Sequence, residues 1–492
     1  MNVTITFHLS NLKNYILNIL FTSVECYPAA KVGGLADVVG ALPKYLNQKG
    51  HEVTVIMPKY DLKWINEQKV KIISTGSISI LSSDYNFEIQ EVDASILGFK
   101  LLFVHIPKLF YRKGVYADAD SNYFTDEPER YTSFAKVTLD WVMSQSDLPD
   151  VIHCHDHHTS LIPFMMTKCI KYEVLANTPT VLTIHNEKYR GRFSWQKSYL
   201  LPEYDIADSG LLDWDGMIDP LASGIKCCWK LTTVSPSYME ELLNAEGDLR
   251  SLFQQEKEKA TGLINGIDSD YWNPKTDGMI TQKLAKSFKQ YKKKNKTALC
   301  KKFGLSSSLP LVSFIGRLAG EKGADLIPNA IEKLLKKAPK VNIIILGTGM
   351  SELEHTLKEI GKKYKKYLSI NIMYNEAMAH QIYAGSDFLL MPSRVEPCGL
   401  NQMYALRYGT IPIVRSTGGL KDTVIDIKRK TGNGIRFENA EADSIVKAVN
   451  RGIRLFANKN RLENTISNAI NSDFSWEASA NNYIKLYEIL TK

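Results

Sequence analysis

The stretch from Asp387 to Leu420 constrains the fold more than any other part of the sequence. Residues 387–391 form a short apolar run, which is typical of a buried parallel strand. A loop that contains Glu396 follows, and apolar residues then recur at helical spacing over 400–406. A second apolar run at 411–414 completes a strand–helix–strand unit. This order predicts a doubly wound parallel sheet with Glu396 at the carboxyl end of a strand, where ligands bind in such sheets.

Two glycine pairs stand at predicted strand-to-helix turns. Gly33-Gly34 follows the first strand, and Gly418-Gly419 follows the strand at 411–414. Backbone N–H groups at a helix start attract anions, and glycine lets a phosphate approach the backbone closely. Lys31 adds a positive charge beside the first pair. Phosphate binding and a simple tight turn are both compatible with the glycines alone.

The length of 492 residues predicts two domains, because one core rarely organises so long a chain. Strands alternate with helices through both halves, so both are expected to be doubly wound α/β domains. The boundaries predicted from the sequence define four segments: an N-terminal extension at 1–14, a first domain at 15–272, a second domain at 273–474, and a C-terminal helical segment at 475–492.

Composition excludes several classes of protein. A net charge of +8 is mild for this length, and the lysine-rich stretch 283–302 lacks interleaved aromatic residues, so a solvated helix is predicted there and no nucleic-acid partner is expected. Seven cysteines, odd in number, indicate a reducing compartment and no disulfide framework. Residues 16–22 predict the first strand, not a signal peptide, and no apolar stretch has the length of a membrane helix.

Two longer strings resemble the bacterial glycogen synthases and plant starch synthases. The first is Lys31-Val-Gly-Gly-Leu-Ala-Asp37-Val, and the second is Glu396-Pro-Cys-Gly-Leu400 followed by Thr417-Gly-Gly-Leu420. The resemblance extends over residues 16–490. It implies the GT-B fold: two Rossmann-like domains face a central cleft, and the last helix crosses back to the first domain. It also implies a retaining glucosyltransferase.

The resemblance further implies a set of site residues. In the catalytic role it places Glu396, His185, Asp156, Lys322 and Arg317. In substrate binding it places Lys31, Gly33, Gly34, Asp37, Asn186, Asn265, Tyr374, Cys398, Gly399, Leu400, Thr417, Gly418 and Gly419. Arg317 and Lys322 would hold the donor pyrophosphate, Tyr374 would lie beside the adenine ring, and Tyr116 resembles a tyrosine near the donor sugar.

The string Asp150-Val-Ile-His-Cys-His-Asp-His-His158 suggests a metal site on first inspection. In an extended strand, His153, His155 and His157 would share one face, but a rise of about 3.3 Å per residue separates them too far to converge on one zinc ion. No metal is therefore expected. The resemblance instead places Asp156 on the acceptor side.

The implied reaction moves glucose from ADP-glucose to the 4-hydroxyl end of an α-1,4-glucan such as glycogen, in the cytoplasm and without a cofactor. Tyr404 stands eight residues after Glu396, where related two-lobed transferases have a second carboxylate, so front-face displacement is favoured over a covalent glucosyl-enzyme. Arg190 replaces a glutamine usual in the family. The alternatives are a transferase for another sugar or acceptor, and an inactive glucan-binding protein.

Overall fold

The computed structural model describes residues 16–93, 96–120, 122–244, 247–336 and 339–492. Its internal packing divides the chain into two compact units. The first extends to Leu231 and includes Ala480–Lys492, and the second is Thr232–Ser479. The extension predicted at 1–14 lies outside the described residues, and the boundaries predicted at 272 and 475 stay predictions.

The first unit alternates strands and helices over most of its length. Its strands are β1 (Asn18–Thr22), β2 (Glu52–Pro58), β3 (Val70–Ile80), β4 (Ser83–Val92), β5 (Lys100–His105), β6 (Val151–His155), β7 (Thr180–Ile184), β8 (Asp213–Trp214), β9 (Met217–Ile218) and β10 (Lys230–Thr233). Its helices are α1 (Gly34–Gln48), α2 (Lys63–Asn66), α3 (Pro107–Phe110), α4 (Glu127–Met143), α5 (Asp156–Thr159), α6 (Leu161–Lys168) and α7 (Pro220–Cys227).

The main sheet of the first unit has the strand order β10-β7-β6-β1-β2-β5-β4-β3, and the short strand β11 (Ala260–Gly262) follows β10. Strands β1, β2, β5, β6 and β7 are parallel, whereas β3 and β4 form an antiparallel hairpin. The chain leaves β1 toward β2 on one side and returns to β6 on the other. Their carboxyl ends therefore form a topological switch point, the usual ligand site of such sheets.

The second unit repeats the same architecture. Its remaining strands are β12 (Leu311–Ile315), β13 (Asn342–Leu346), β14 (Leu368–Asn371), β15 (Phe388–Met391), β16 (Ile411–Arg415) and β17 (Ile435–Phe437). Its helices are α8 (Pro236–Asn244), α9 (Arg250–Gln255), α10 (Phe288–Lys302), α11 (Ile327–Leu335), α12 (Ser351–Lys363), α13 (Glu376–Gly385), α14 (Asn401–Arg407), α15 (Gly418–Thr423), α16 (Ala442–Ala457) and α17 (Lys459–Ile470), and α18 (Trp476–Leu490) ends the chain.

The sheet of the second unit is fully parallel, with the order β14-β13-β12-β15-β16-β17. Apolar side chains of these strands pack against α11 and α16 in a buried core that includes Phe314, Ile345, Phe388 and Ile413. The order reverses between β12 and β15, so the loops after these two strands meet at a second switch point. Two doubly wound α/β units are thus confirmed.

The last helix also agrees with the sequence prediction, because residues from Ala480 onward belong to the first unit. Tyr487 of α18 hydrogen-bonds His153 of β6, with 2.7 Å between the hydroxyl oxygen and Nδ1. In the part of the chain that the structure describes, all seven cysteines are free. No described helix combines the length and apolar character needed to cross a bilayer.

One prediction about the second unit was wrong in part. The lysine-rich helix α10 is not solvated on all sides. Lys296 is buried and forms a 2.6 Å ion pair with Asp387, and the Lys292 ammonium donates to the Ser386 carbonyl and the Thr410 hydroxyl, each at 2.7 Å. Burial lowers the pKa of Lys292 to about 7, although nearby Asp387 acts in the opposite direction. A run of lysines does not reveal which of them lie over carbonyl groups at the end of a neighbouring helix.

Lys292 should make stability depend on pH in a defined direction. Because its pKa is lowered on folding, the unfolded chain binds more protons than the folded chain between pH 7 and about 10. We predict that the unfolding free energy of the wild type, relative to Lys292→Met, rises across this window by up to about 1.4 kcal/mol per pH unit. Urea titrations of both proteins at pH 7 and 9.5 measure this difference, and a constant difference would contradict it.

Candidate active site

In the first unit, the carboxylate of Glu25 organises the loop that leaves β1. One of its oxygens accepts hydrogen bonds from the backbone N–H groups of Val32 and Gly33, at 2.6 and 2.9 Å. The other accepts the Tyr116 hydroxyl at 2.6 Å. Burial raises the pKa of Glu25, and the charge of Asp156 acts in the same direction, while the three hydrogen bonds oppose the shift. The Glu25 carboxylate therefore connects the segment after β1 to the lysine–glycine loop and to Tyr116.

The lysine–glycine loop presents open space at the start of α1. A Cβ atom added at Gly33 or Gly34 would meet no other atom within 4 Å, so neither glycine is required by packing. Lys31 is half exposed and its ammonium lies 2.6 Å from Asp37. The four predicted residues of this loop are therefore brought together, and the space beside them has room for a ligand.

Asp156 holds the predicted histidine in place. It is the first residue of α5 and has a left-handed backbone with φ of +55°, which is rare for residues other than glycine. Its carboxylate accepts the backbone N–H of His185 at 2.7 Å and that of Asn186 at 3.4 Å. The ring of His185 contacts His155, with 3.0 Å between Nε2 and Nδ1. Burial lowers the pKa of His185, so its neutral form is favoured.

The remaining histidines differ from the extended arrangement considered in the sequence. Strand β6 ends at His155, so His157 lies in α5 and not on the strand face. Nε2 of His157 donates a 2.6 Å hydrogen bond to the Glu127 carboxylate. Within the described residues, Glu127, His157 and His158 place one ligand-type atom each within 4.8 Å of one another, a group that could hold an ion. The expectation that catalysis uses no metal stays a prediction.

In the second unit, an ion pair spans the switch point between β12 and β15. The Lys322 ammonium lies 2.7 and 2.8 Å from the two carboxylate oxygens of Glu396. Ser393 donates a further hydrogen bond to Glu396 at 2.9 Å. Gly323 has φ of +63°, and a Cβ there would lie 2.1 Å from the Pro392 carbonyl oxygen, so only glycine lets the two loops approach.

Arg317 and Tyr374, two further residues predicted to contact the nucleotide sugar, have exposed side chains. The Arg317 side chain is 71% exposed, and it pairs with Glu321 at 2.8 Å. Tyr374 follows β14 and is 85% exposed. Its aromatic ring is therefore not part of the hydrophobic core. Both side chains are accessible to a ligand at the carboxyl edge of the sheet.

The second glycine pair has a different origin from the first. A Cβ at Gly418 would lie 2.2 Å from the Glu396 carbonyl oxygen, and one at Gly419 would lie 2.0 Å from that of Cys398. The Gly418 N–H and the Thr417 hydroxyl both donate to the carboxylate of Glu241, at 2.8 and 2.9 Å. Gly418 and Gly419 therefore pack closely against the loop of Glu396. The Gly418 N–H already donates to a carboxylate, that of Glu241.

The residues next to Glu396 are also mainly structural. Cys398 is buried, and burial raises its pKa to about 12, so it is not a nucleophile at neutral pH. Gly399 has φ of +72° and packs against Gln402, which donates to its carbonyl oxygen at 2.9 Å. Leu400 caps α14. The backbone of Asn265 interacts with Cys398, and its side-chain oxygen is buried without a hydrogen-bond partner among the described residues.

Comparison with known proteins assigns the family. Residues 18–255 match the starch synthase catalytic domain, and residues 295–472 match the glycosyl transferases of group 1. A protein of Flavobacterium johnsoniae named glycogen synthase is 45% identical, and the alignment covers 96% of this chain and 99% of that protein. A Kosmotoga olearia protein of the same name is 38% identical over 96% of this chain and 98% of its own length. The chain belongs to the glycogen synthase family.

Solved structures agree with this assignment. The catalytic domain of starch synthase IV from Arabidopsis thaliana, solved with ADP and acarbose, matches with a TM-score of 0.83 at 31% identity and covers 97% of this chain and 100% of that one. Sucrose-phosphate synthase of Thermosynechococcus elongatus has a TM-score of 0.60 at 16% identity, with 96% and 98% of the two chains covered, and shows the shared fold alone. As a member of the glycogen synthase family, the protein is a glycosyltransferase of the GT-B type.

Sequence reasoning missed Glu25, Ser393 and Glu241. Glu25 stands six residues before Lys31, and nothing in its local pattern distinguishes it from a surface acid. Glu241 lies in the amphipathic helix α8, far along the chain from Gly418. The departure at Arg190 has a structural partner, since its guanidinium donates to the buried Asp219 at 2.7 Å.

Gly418→Ala tests the packing role of the second glycine pair. The substitution adds a Cβ 2.2 Å from the Glu396 carbonyl in a left-handed conformation, which by itself disfavours alanine by about 1–2 kcal/mol. We expect lower thermal stability and a larger loss of turnover than stability alone explains, because the Glu396 loop must shift. Gly278→Ala, where the added atom meets nothing within 4 Å, is the control. Equal behaviour of both variants would contradict this packing role.

Chelation tests the metal expectation. Exhaustive dialysis against EDTA should leave the turnover unchanged, because the positioned ion pair and the buried histidines require no ion for their hydrogen bonds. Loss of activity that zinc restores, and that His157→Ala abolishes, would instead assign a metal to the group of Glu127, His157 and His158.

Proposed function

We propose that this protein transfers glucose from ADP-glucose to the 4-hydroxyl at the non-reducing end of an α-1,4-glucan, with retention of configuration. The observation that carries the proposal is the Lys322–Glu396 ion pair at the switch point of the domain that matches the glycosyl transferases of group 1. A cation and a carboxylate at this place suit the two ends of a nucleotide sugar: a diphosphate and a ring of hydroxyl groups.

The cations are proposed to stabilise the leaving diphosphate. Lys322 is only one quarter exposed, so its charge acts in a medium where electrostatic interactions are stronger than in water. Arg317 is exposed and can rotate from Glu321 to a phosphate oxygen. In the first unit, Lys31 and the start of α1 at Gly34 are further donors, whereas the Gly33 N–H already donates to Glu25. Negative charge grows on the diphosphate as the glycosidic bond breaks, so these contacts favour the transition state.

Carboxylates and histidine are proposed to orient the sugar. Glu396 has two oxygens fixed by Lys322 and Ser393, and carboxylate oxygens have further lone pairs that can accept sugar hydroxyl groups. Asp156 fixes the backbone of His185, whose neutral ring can hydrogen-bond a hydroxyl or carbonyl-like centre. Asn186 follows at the same strand end. Catalysis is therefore positional and electrostatic.

Front-face displacement is the mechanism that these residues favour. A double displacement needs a carboxylate nucleophile about 5 Å from the acid partner in retaining glycoside chemistry. At the position where a second carboxylate would stand, Tyr404 stacks on Trp272 with 3.9 Å between ring centroids. We propose that the acceptor hydroxyl attacks from the face that the diphosphate leaves, without a covalent glucosyl-enzyme.

An assay with ADP-glucose and glycogen tests the function directly. The enzyme proposed here releases ADP only when both are present and lengthens the glucan. Release of ADP without glycogen would indicate another acceptor or hydrolysis, and no release with any nucleotide sugar would indicate an inactive glucan-binding protein. Free cysteines are consistent with a reducing cytoplasm as the compartment.

The donor base can be tested through Tyr374. This exposed ring offers a stacking surface, and a purine presents a larger face than a pyrimidine. Base–aromatic stacking contributes about 1–3 kcal/mol. We predict a kcat/KM at least tenfold higher for ADP-glucose than for UDP-glucose, with the ratio narrowing in Tyr374→Ala. Equal use of both donors by the wild type would refute the assignment of the base.

The diphosphate contact can be tested with Lys322→Ala and Arg317→Ala. Loss of a charge-assisted contact in the transition state costs about 2–4 kcal/mol, so kcat should fall by two or more orders of magnitude while the fold survives. Lys333→Ala, which removes a surface cation paired with Asp443, is the control. Turnover similar to wild type in either site variant would remove that residue from the site.

A further inference from the structure

The Glu25 carboxylate connects several segments of the first unit through hydrogen bonds. Its two oxygens together accept three hydrogen bonds, from Val32 N–H, Gly33 N–H and the Tyr116 hydroxyl. Its own backbone is fixed as well, because Ser23 both accepts from the Glu25 N–H and donates to the Glu25 carbonyl oxygen. The carboxylate therefore joins three segments: the end of β1, the lysine–glycine loop and the loop that contains Tyr116.

The place of this carboxylate in the fold is unusual. It follows β1, at the switch point between β1 and β6. Burying an acid is unfavourable unless donors surround it. Here the donors belong to the loop that carries Lys31 and ends at Gly33. The hydrogen bonds that make burial tolerable are thus the same ones that fix this loop.

We propose that Glu25 is a positioning residue for glucosyl transfer, which holds Lys31 and the open start of α1 in the arrangement that receives the donor diphosphate. The inference rests on the proposed function for the identity of the diphosphate. Glu25 itself is 3% exposed, so a substrate cannot reach its carboxylate. It acts through the two N–H groups that it accepts and through Tyr116.

Tyr116 belongs to the same hydrogen-bonded group as Glu25. Its ring stacks on His158 with 5.2 Å between centroids, and its hydroxyl donates to Glu25. His158 follows Asp156 by two residues in α5. Tyr116 therefore contacts both α5, through its ring, and the residue that fixes the lysine–glycine loop, through its hydroxyl. The substitution Tyr116→Phe removes only the hydroxyl and keeps the ring contact with His158.

Three variants separate positioning from general damage. Glu25→Ala removes all acceptors. Glu25→Gln retains the three contacts with one acceptor oxygen, because the amide oxygen can accept both N–H groups while the amide nitrogen donates to the Tyr116 oxygen. Glu67→Ala, an exposed acid in the same unit, is the control. We expect kcat with ADP-glucose and glycogen to fall at least tenfold in Glu25→Ala with KM for ADP-glucose changed less than threefold. We expect Glu25→Gln to stay within threefold of wild type, and Tyr116→Phe to lie between them.

Hydrogen exchange of the free protein gives a readout that needs no activity. The amides of Val32 and Gly33 should exchange slowly in the wild type and in Glu25→Gln, and at least tenfold faster in Glu25→Ala. If the wild type fails to transfer glucose, the proposed function is wrong, and the exchange result still shows whether Glu25 fixes the loop.

Two results would overturn the inference. One is a Glu25→Ala protein with wild-type exchange at Val32 and Gly33, since the loop would then be fixed by other contacts. The other is a Glu25→Gln protein as inactive as Glu25→Ala although its exchange is like wild type, since the charge and not the position of the loop would then be needed.

Discussion

The structure depends on where parallel strands end. In each unit the chain winds outward on one side of a first strand and returns on the other, and this order brings together the loops after β1 and β6 and those after β12 and β15. The Lys322–Glu396 ion pair forms at the second of these points, and the hydrogen bonds of Glu25 fix the lysine–glycine loop at the first. Residues that are 74 positions apart in the sequence thus become hydrogen-bond partners. The chemistry proposed for the protein follows from this topology more than from any single residue.

Glycine serves two physical purposes at these points. Gly323, Gly418 and Gly419 are needed because another backbone lies about 2 Å from where a Cβ would be. They bring the loop of Glu396 against its neighbours. Gly33 and Gly34 face open space, so their absent side chains favour approach of a ligand. The same two-letter pattern in the sequence therefore marks close packing in one unit and an accessible helix start in the other.

The fold and some residues of the candidate site could be predicted from the sequence. Short apolar runs predicted the buried strands at 387–391 and 411–414, because burial of a short run is a local property of the sequence. The partners of polar groups could not be predicted, because they depend on distant segments. Glu241 meets Gly418, and Lys292 meets the Ser386 carbonyl, only after the sheet has formed. His157 leaves the face of β6 because the backbone of Asp156 turns into the left-handed region.

The central claim is that the protein transfers glucose with retention of configuration and that the Lys322–Glu396 ion pair at the switch point of the second unit acts on the donor. The most direct measurement follows the product by proton and carbon NMR, with ADP-glucose labelled with carbon-13 at the anomeric carbon and a short malto-oligosaccharide as acceptor. The account predicts that the label appears in an α-1,4 linkage at the non-reducing end, in step with ADP release. A β linkage, a linkage to another hydroxyl, or label that accumulates as free glucose would contradict it.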